Sequence, residues 1–158
     1  MKEKNMTNNT LYTPPSGPPQ VSPPSHEIYH LMGEENIKRM IFDFYDKLSK
    51  SKISAMFPQG EDLKHAAEKS FFFFVGLLGG PPLYHEKIGN PMLRRRHFPF
   101  AIDEAARREW IRCFREVLEN AEEKYSFPSE HLPGFITFLE EFSKWMVNRE
   151  SCPGQPAK

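Results

Sequence analysis

The sequence predicts an all-α domain, and three observations carry that prediction. No segment of useful length alternates apolar and polar residues with period two. From about Glu34 onward, apolar residues recur at three- and four-residue spacing in long runs. Those runs are separated by stop signals such as Pro58 with Gly60, Gly79-Gly80-Pro81-Pro82, and Pro99. A length of 158 residues suits one such domain.

The chain opens with an arm, residues 1–26, whose Pro-rich part T-L-Y-T-P-P-S-G-P-P-Q-V-S-P-P-S carries no charge. Such a segment has too little to bury and is expected to be an extended, disordered leader. The folded domain is expected over 27–150, with a flexible tail at 151–158. In the first long helix Ile37, Met40, Ile41, Phe44 and Leu48 form an apolar stripe. Tyr45, four after Ile41 and three before Leu48, sits at the stripe's edge with its phenol inward.

A second helix is expected from about Asp62 to Leu78. Phe71 to Phe74 occupies all its sides, so this stretch is expected between neighbours rather than on a surface. One face of it runs from small Ala66 and Ser70 to bulky Phe73, Phe74 and Leu77, a profile that admits a flat ligand.

The segment G-N-P-M-L-R-R-R-H-F-P-F, ending at Phe100, is the most informative. Asn90 can cap a helix start and Pro91 suits the first helical position. Pro99 ends helix and pushes Phe98 toward extended geometry. The expectation is about two turns of helix presenting His97 near the end, with Leu93 and Arg94 on its face. Two long helices follow. Asp103 is expected to cap the first, with Ala106, Trp110, Cys113, Phe114, Val117 and Ala121 inward. Ser129 is expected to cap the second, with Leu132, Phe135, Ile136, Leu139, Phe142 and Met146 inward.

Composition excludes several classes. Lys plus Arg and Asp plus Glu each total 21, so no basic excess marks a nucleic-acid binder. The two cysteines form no C-x-x-C pair for zinc, and a disulfide between Cys113 and Cys152 is not expected. The longest apolar run, Phe71 to Leu78, falls far short of the ~20 residues of a membrane helix. The first ten residues lack a secretory apolar run, so a cytoplasmic protein without membrane contact is expected.

Several motifs in order resemble the truncated haemoglobins, most like group II. They are Phe44-Tyr45, the M-F-P of Met56 to Pro58, and the G-G-P-P-L-Y of Gly79 to Tyr84. G-N-P-M-L-R-R-R-H-F-P-F and the R-E-W-I-R-C-F of Arg108 to Phe114 complete the series. The resemblance covers about residues 28 to 149, essentially the whole folded part. It implies a two-over-two helical sandwich around haem b (iron protoporphyrin IX), with His97 as proximal iron ligand. It implies a distal pocket formed by Tyr45, Phe57, Ala66, Ser70 and Trp110. Phe57 departs from the tyrosine or histidine that members commonly carry there.

On chemistry, a neutral imidazole suits iron, and its second ring nitrogen ordinarily donates to a carbonyl that fixes the ring. Taken alone, R-R-R-H reads as a basic surface patch. Tyr45 and Trp110 alone read equally as amphipathic core residues; as phenol and indole donors they favour a ligand that gains negative charge on binding. The methyl of Ala66 cannot donate or coordinate, leaving entry open, and Ser70 competes with a helix carbonyl for its own proton. Arg94, Arg96 and Lys69 are candidates for the haem propionates. Phe73, Phe74, Leu93, Phe98, Phe100, Ile102 and Met146 are candidates for apolar contact with the macrocycle, though each also reads as core.

The function implied is reversible binding of dioxygen, with carbon monoxide and nitric oxide as further ligands, and oxygen transport among the roles. Enzymatic turnover of nitric oxide or peroxide would need an external electron donor. A haem-less helical module acting through protein contacts is the alternative.

Overall fold

The computed structural model describes residues 12–15 and 17–150. They form eight α-helices and two 3₁₀ turns, with no strand among the described residues. In chain order the helices are α1 (Ile28–Met32), α2 (Glu34–Leu48), α3 (Glu61–Leu77), α4 (Leu83–Lys87), α5 (Leu93–Arg96), α6 (Glu104–Leu118), α7 (Ala121–Tyr125) and α8 (Leu132–Met146). The four long helices form the body: α2 lies against α3, α6 against α8, and α2 joins the pairs through α6. This is the two-over-two arrangement.

Phe114 sits where the pairs meet. Its ring stacks on Phe44 of α2 with centroids 4.0 Å apart and meets Phe74 of α3 and Phe135 of α8 edge-on. All four rings are buried, so the apolar stripes read from the sequence converge on one aromatic centre. Truncating such a residue costs about 3–5 kcal/mol, because the cavity is closed by four helices that cannot all shift inward.

Two local readings need correction. The histidine-bearing helix is one turn, not two: Asn90 and Pro91 lie outside it, and Met92 enters it in a left-handed conformation at φ 36°. The Arg96 guanidinium turns back and donates to Asn90 O and Pro91 O, so those carbonyls are satisfied without helix. Ser129 does not cap the last helix either. It opens a 3₁₀ turn, Ser129–His131, from which α8 continues with Pro133 near its start. Ala121 belongs to α7, because Glu119 leaves α6 in an extended conformation and Asn120, left-handed, leads into the next helix.

The Asp103 cap is as read. Its side chain accepts from Ala106 N at 2.9 Å, satisfying one of the orphan donors of α6. Asp103→Ala is expected to lower stability by about 1 kcal/mol, measured by urea unfolding.

Among its described residues the arm carries no helix before α1. Its described part is tied to the body where Tyr12 N donates to Asn148 O, and where Pro14 and Pro24 are buried. The arm before Tyr12 and the tail after Glu150 lie outside the described residues. The Gly79-Gly80 pair makes room for the chain entering α1. A Cβ on Gly79 would stand 1.9 Å from His26 O, and its φ of 104° also favours glycine.

Glu109 is a buried carboxylate that the helical pattern did not single out. It accepts from Lys52 N at 3.1 Å and from Arg112, so it fastens the turn after α2 to α6 one residue before Trp110. The Arg112 guanidinium holds the Glu109 carboxyl down at about 2, and Arg107 does the same for Glu104. Both are depressed from 4.5, so their contribution is complete above pH 4.5 and lost as pH falls toward about 2. Acid unfolding is expected to steepen within that window. Glu109→Gln should flatten it and cost about 1–3 kcal/mol at neutral pH, read by circular dichroism across a pH series.

Candidate haem and gas-binding site

His97 follows α5 directly, as its C-terminal cap residue. Its Nδ1 lies 2.6 Å from Leu93 O, one turn back. A carbonyl accepts only, so Nδ1 carries the proton and Nε2 keeps the lone pair. The ring is thereby fixed in orientation and tautomer, with Nε2 free of any partner among the described residues. On the main chain, His97 O accepts from Asn148 Nδ2 at 3.1 Å. Asn148 is fully buried and also accepts from Ile102 N through Oδ1 at 2.9 Å. The histidine turn and the Ile102 strand of chain are thus held to the end of α8 by one amide.

On the other side, the structure brings Tyr45, Ser70 and Phe57 together. The Tyr45 ring meets Phe57 edge-on at 5.8 Å. Burial pushes the Tyr45 phenol up, so it stays protonated and available as a donor, while the nearby Ser70 hydroxyl pulls the other way. Trp110 is half-buried and packs edge-on against Phe44 at 5.3 Å, and Phe44 in turn touches Tyr45. Ala66, one turn before Ser70, is half-buried.

The residues expected to line a flat cofactor divide into two groups. Phe73, Leu93, Phe98, Ile102 and Met146 are half-buried despite being large and apolar. Phe73 faces α8 through Phe142, with ring centroids 6.4 Å apart. Phe74 is instead part of the solid core, edge-on to Phe114 and Phe135. Phe100 is 43% exposed, with its ring 6.3 Å from that of His97.

Among the cations, Lys69 and Arg96 are exposed, and Arg96 lies over the Tyr84 ring at 5.5 Å. Both arginines are engaged on main-chain carbonyls. Arg96 donates to Asn90 O and Pro91 O, and Arg94 donates to Trp145 O at 2.5 Å, Val147 O at 2.8 Å and Tyr12 O at 2.8 Å, with its guanidinium carbon 4.5 Å from the Trp145 ring centroid. No helix among the described residues is long and apolar enough to cross a membrane.

Comparison with known proteins follows the same lines. The model of the bacterial-like globin family matches residues 27–147. The group 2 truncated hemoglobin YjbI of Bacillus subtilis (strain 168) is 37% identical over 93 residues, 58% of this chain and 69% of that protein. Phosphate-bound Hell's gate globin IV superposes with a TM-score of 0.79 at 31% identity, covering 100% of this chain and 92% of that one. The truncated oxygen-avid haemoglobin from Bacillus subtilis superposes with a TM-score of 0.68 at 32% identity, covering 76% of this chain and 98% of that one. With a tethered histidine at the exit of α5 and the two-over-two body around it, the chain belongs to the bacterial-like globin family and is of the group II truncated haemoglobin type.

Proposed function

We propose that this globin holds haem b through His97 Nε2 and binds dioxygen reversibly, with carbon monoxide and nitric oxide as further ligands. The observation that carries the reading is the 2.6 Å bond between His97 Nδ1 and Leu93 O, which leaves one ring nitrogen committed and the other free for iron. Haem, when bound, supplies an iron centre that takes up a diatomic gas. Truncated haemoglobins as similar relatives, one of them described as oxygen-avid, support the same assignment. The two cysteines, Cys113 and Cys152, make no C-x-x-C-H attachment sequence, which favours non-covalent haem b.

The residues divide the work. Leu93 O orients the imidazole, and Asn148 holds the backbone of the same residue. Phe73, Leu93, Phe98, Ile102 and Met146 keep water from the macrocycle's faces, with Phe100 at the exposed margin and Phe74 supporting Phe73 from the core at 5.5 Å. Lys69 and Arg96, at the surface, are the cations for the propionates. Tyr45 and Trp110 are the hydrogen-bond donors of the gas pocket. Ser70 orients the Tyr45 phenol, Phe57 walls the pocket without adding a donor, and Ala66 leaves its entrance unblocked. Turnover of nitric oxide or peroxide draws electrons from an external donor.

Titration with hemin tests the assignment. The purified protein is expected to take up one equivalent and develop a Soret band that shifts on reduction and again on exposure to carbon monoxide. A protein that stays colourless after hemin would instead be the haem-less helical module acting through protein contacts.

A further inference from the structure

Three elements distant in sequence meet behind His97. Arg94, on the one-turn helix that carries the histidine, donates to Trp145 O and Val147 O at the end of α8 and to Tyr12 O of the Pro-rich arm. Tyr12 N donates to Asn148 O at 3.0 Å, and Asn148 Nδ2 returns to His97 O at 3.1 Å. The set therefore forms a closed loop of hydrogen bonds running from the α5 helix to the α8 end, to the arm, to Asn148 and back to the histidine. Within it Asn148 is fully buried and uses its side-chain donor, its side-chain acceptor and both main-chain groups. The Arg94 guanidinium is charged and half-buried, packed over Trp145 at 4.5 Å and Phe98 at 5.6 Å.

Such a loop is needed because α5 has little of its own. Four residues make one turn, too short to be stable in water without tertiary support. It starts at Met92 in a left-handed conformation that a residue with a side chain adopts at a cost, and the chain turns away after His97. Leu93 O fixes the ring relative to the helix, but the main-chain bonds of α5 do not fix the helix relative to the body. Arg94 and Asn148 do.

We propose that Arg94, Asn148 and the main chain of Tyr12 form a proximal clasp that positions His97 and couples the Pro-rich arm to cofactor retention. Arg94 and Asn148 are then positioning residues, and the arm is a working part of the haem site rather than a leader. The inference rests on His97 being the iron ligand.

The test uses the full chain loaded with hemin. Arg94→Met keeps an unbranched apolar stem and removes the guanidinium with its three hydrogen bonds. Haem transfer to excess apomyoglobin is expected to accelerate about tenfold or more, the change produced by losing a charge-assisted hydrogen bond's worth of positioning energy. The iron–histidine stretching band of the reduced protein, measured by resonance Raman, is expected to shift or broaden. A residue that merely stabilised the fold would lower the thermal midpoint without moving that band. Arg94→Lys, whose single nitrogen cannot span both α8 and the arm, should recover only part of the wild-type retention. If Arg94→Met does not fold, Tyr12→Pro removes the arm's N–H to Asn148, with Tyr12→Ala as the control for the lost side chain, and is expected to accelerate haem loss about threefold beyond that control, within the worth of one neutral hydrogen bond. Folded variants with wild-type haem loss and an unchanged band would overturn the clasp. Wild-type protein that never takes up hemin would instead overturn the haem reading itself, so the two failures are distinct.

Discussion

His97→Ala is expected to abolish stable haem retention: hemin added to the variant should leave on a desalting column, while wild-type protein keeps its Soret band. In the proposed site no second side chain can take over. Leu93, Phe98 and Phe100 around His97 carry no donor atoms for iron, and the remaining histidines of the helical body lie on other faces. His65 is exposed on the outer side of α3, His85 is exposed on α4, and His131 is beside Glu27 and Glu130. The apolar walls alone still attract a porphyrin, so weak adsorption with a broadened band is compatible with the proposal. Adding imidazole to the variant should restore a sharp band, because the cavity left by the ring admits a free ligand of the same shape. A His97→Ala protein with wild-type spectrum and haem loss would remove histidine ligation at this position.

The long helices were legible because burial imposes period on a sequence. Ile37, Met40, Ile41, Phe44 and Leu48 are all buried, and so are Ala106, Cys113, Phe114 and Val117. Asp103 could be read because capping is local: the acceptor and the Ala106 donor lie three residues apart. The same local logic misled at Asn90-Pro91, where the carbonyls are taken by a side chain six residues on, and helix starts only after Met92. Ser129 failed similarly, since Pro133 supplies the start signal four residues later.

What the sequence hid is what depends on distant partners. Arg94 looked like one member of a basic run, yet its guanidinium bonds lie 51, 53 and 82 residues away in the chain. No spacing or motif along the chain singles out Asn148 or Glu109. Both are buried because partners from elsewhere satisfy them: Ile102 and His97 for the amide, Lys52 for the carboxylate. A buried Asn with all its groups paired is stable, whereas the same residue unpaired would cost about 1–3 kcal/mol. Composition carries no trace of which case applies. The histidine, by contrast, was found through its flanking prolines and through motif order, both visible along the chain.

Trp110→Phe and Tyr45→Phe are each expected to speed release of dioxygen from the ferrous protein, about tenfold or more if the lost donor served a partly charged ligand. Tyr45→Phe keeps the ring against Phe57 at 5.8 Å and loses only the hydroxyl, while Trp110→Phe keeps an aromatic ring beside Phe44, 5.3 Å away in the native pair, and loses the N–H with part of the indole volume. Carbon monoxide gains less negative charge on binding than dioxygen does, so its release should change much less, and the ratio of the two effects separates hydrogen bonding from altered access. The two donors need not contribute equally. In the proposed pocket Ser70 orients the Tyr45 phenol, which burial keeps protonated, so Ser70→Ala should reproduce part of the Tyr45→Phe effect by letting the phenol turn. Trp110 has a single donor and no acceptor, and its indole sits one residue after the Glu109 anchor that fixes α6 to the turn beyond α2. Its contribution should therefore vanish with the indole N–H and resist changes in Ser70. Stopped-flow release rates for the three variants, alone and in pairs, decide this. Unchanged dioxygen release in both Trp110→Phe and Tyr45→Phe would leave the bound gas without either donor and return both rings to the core.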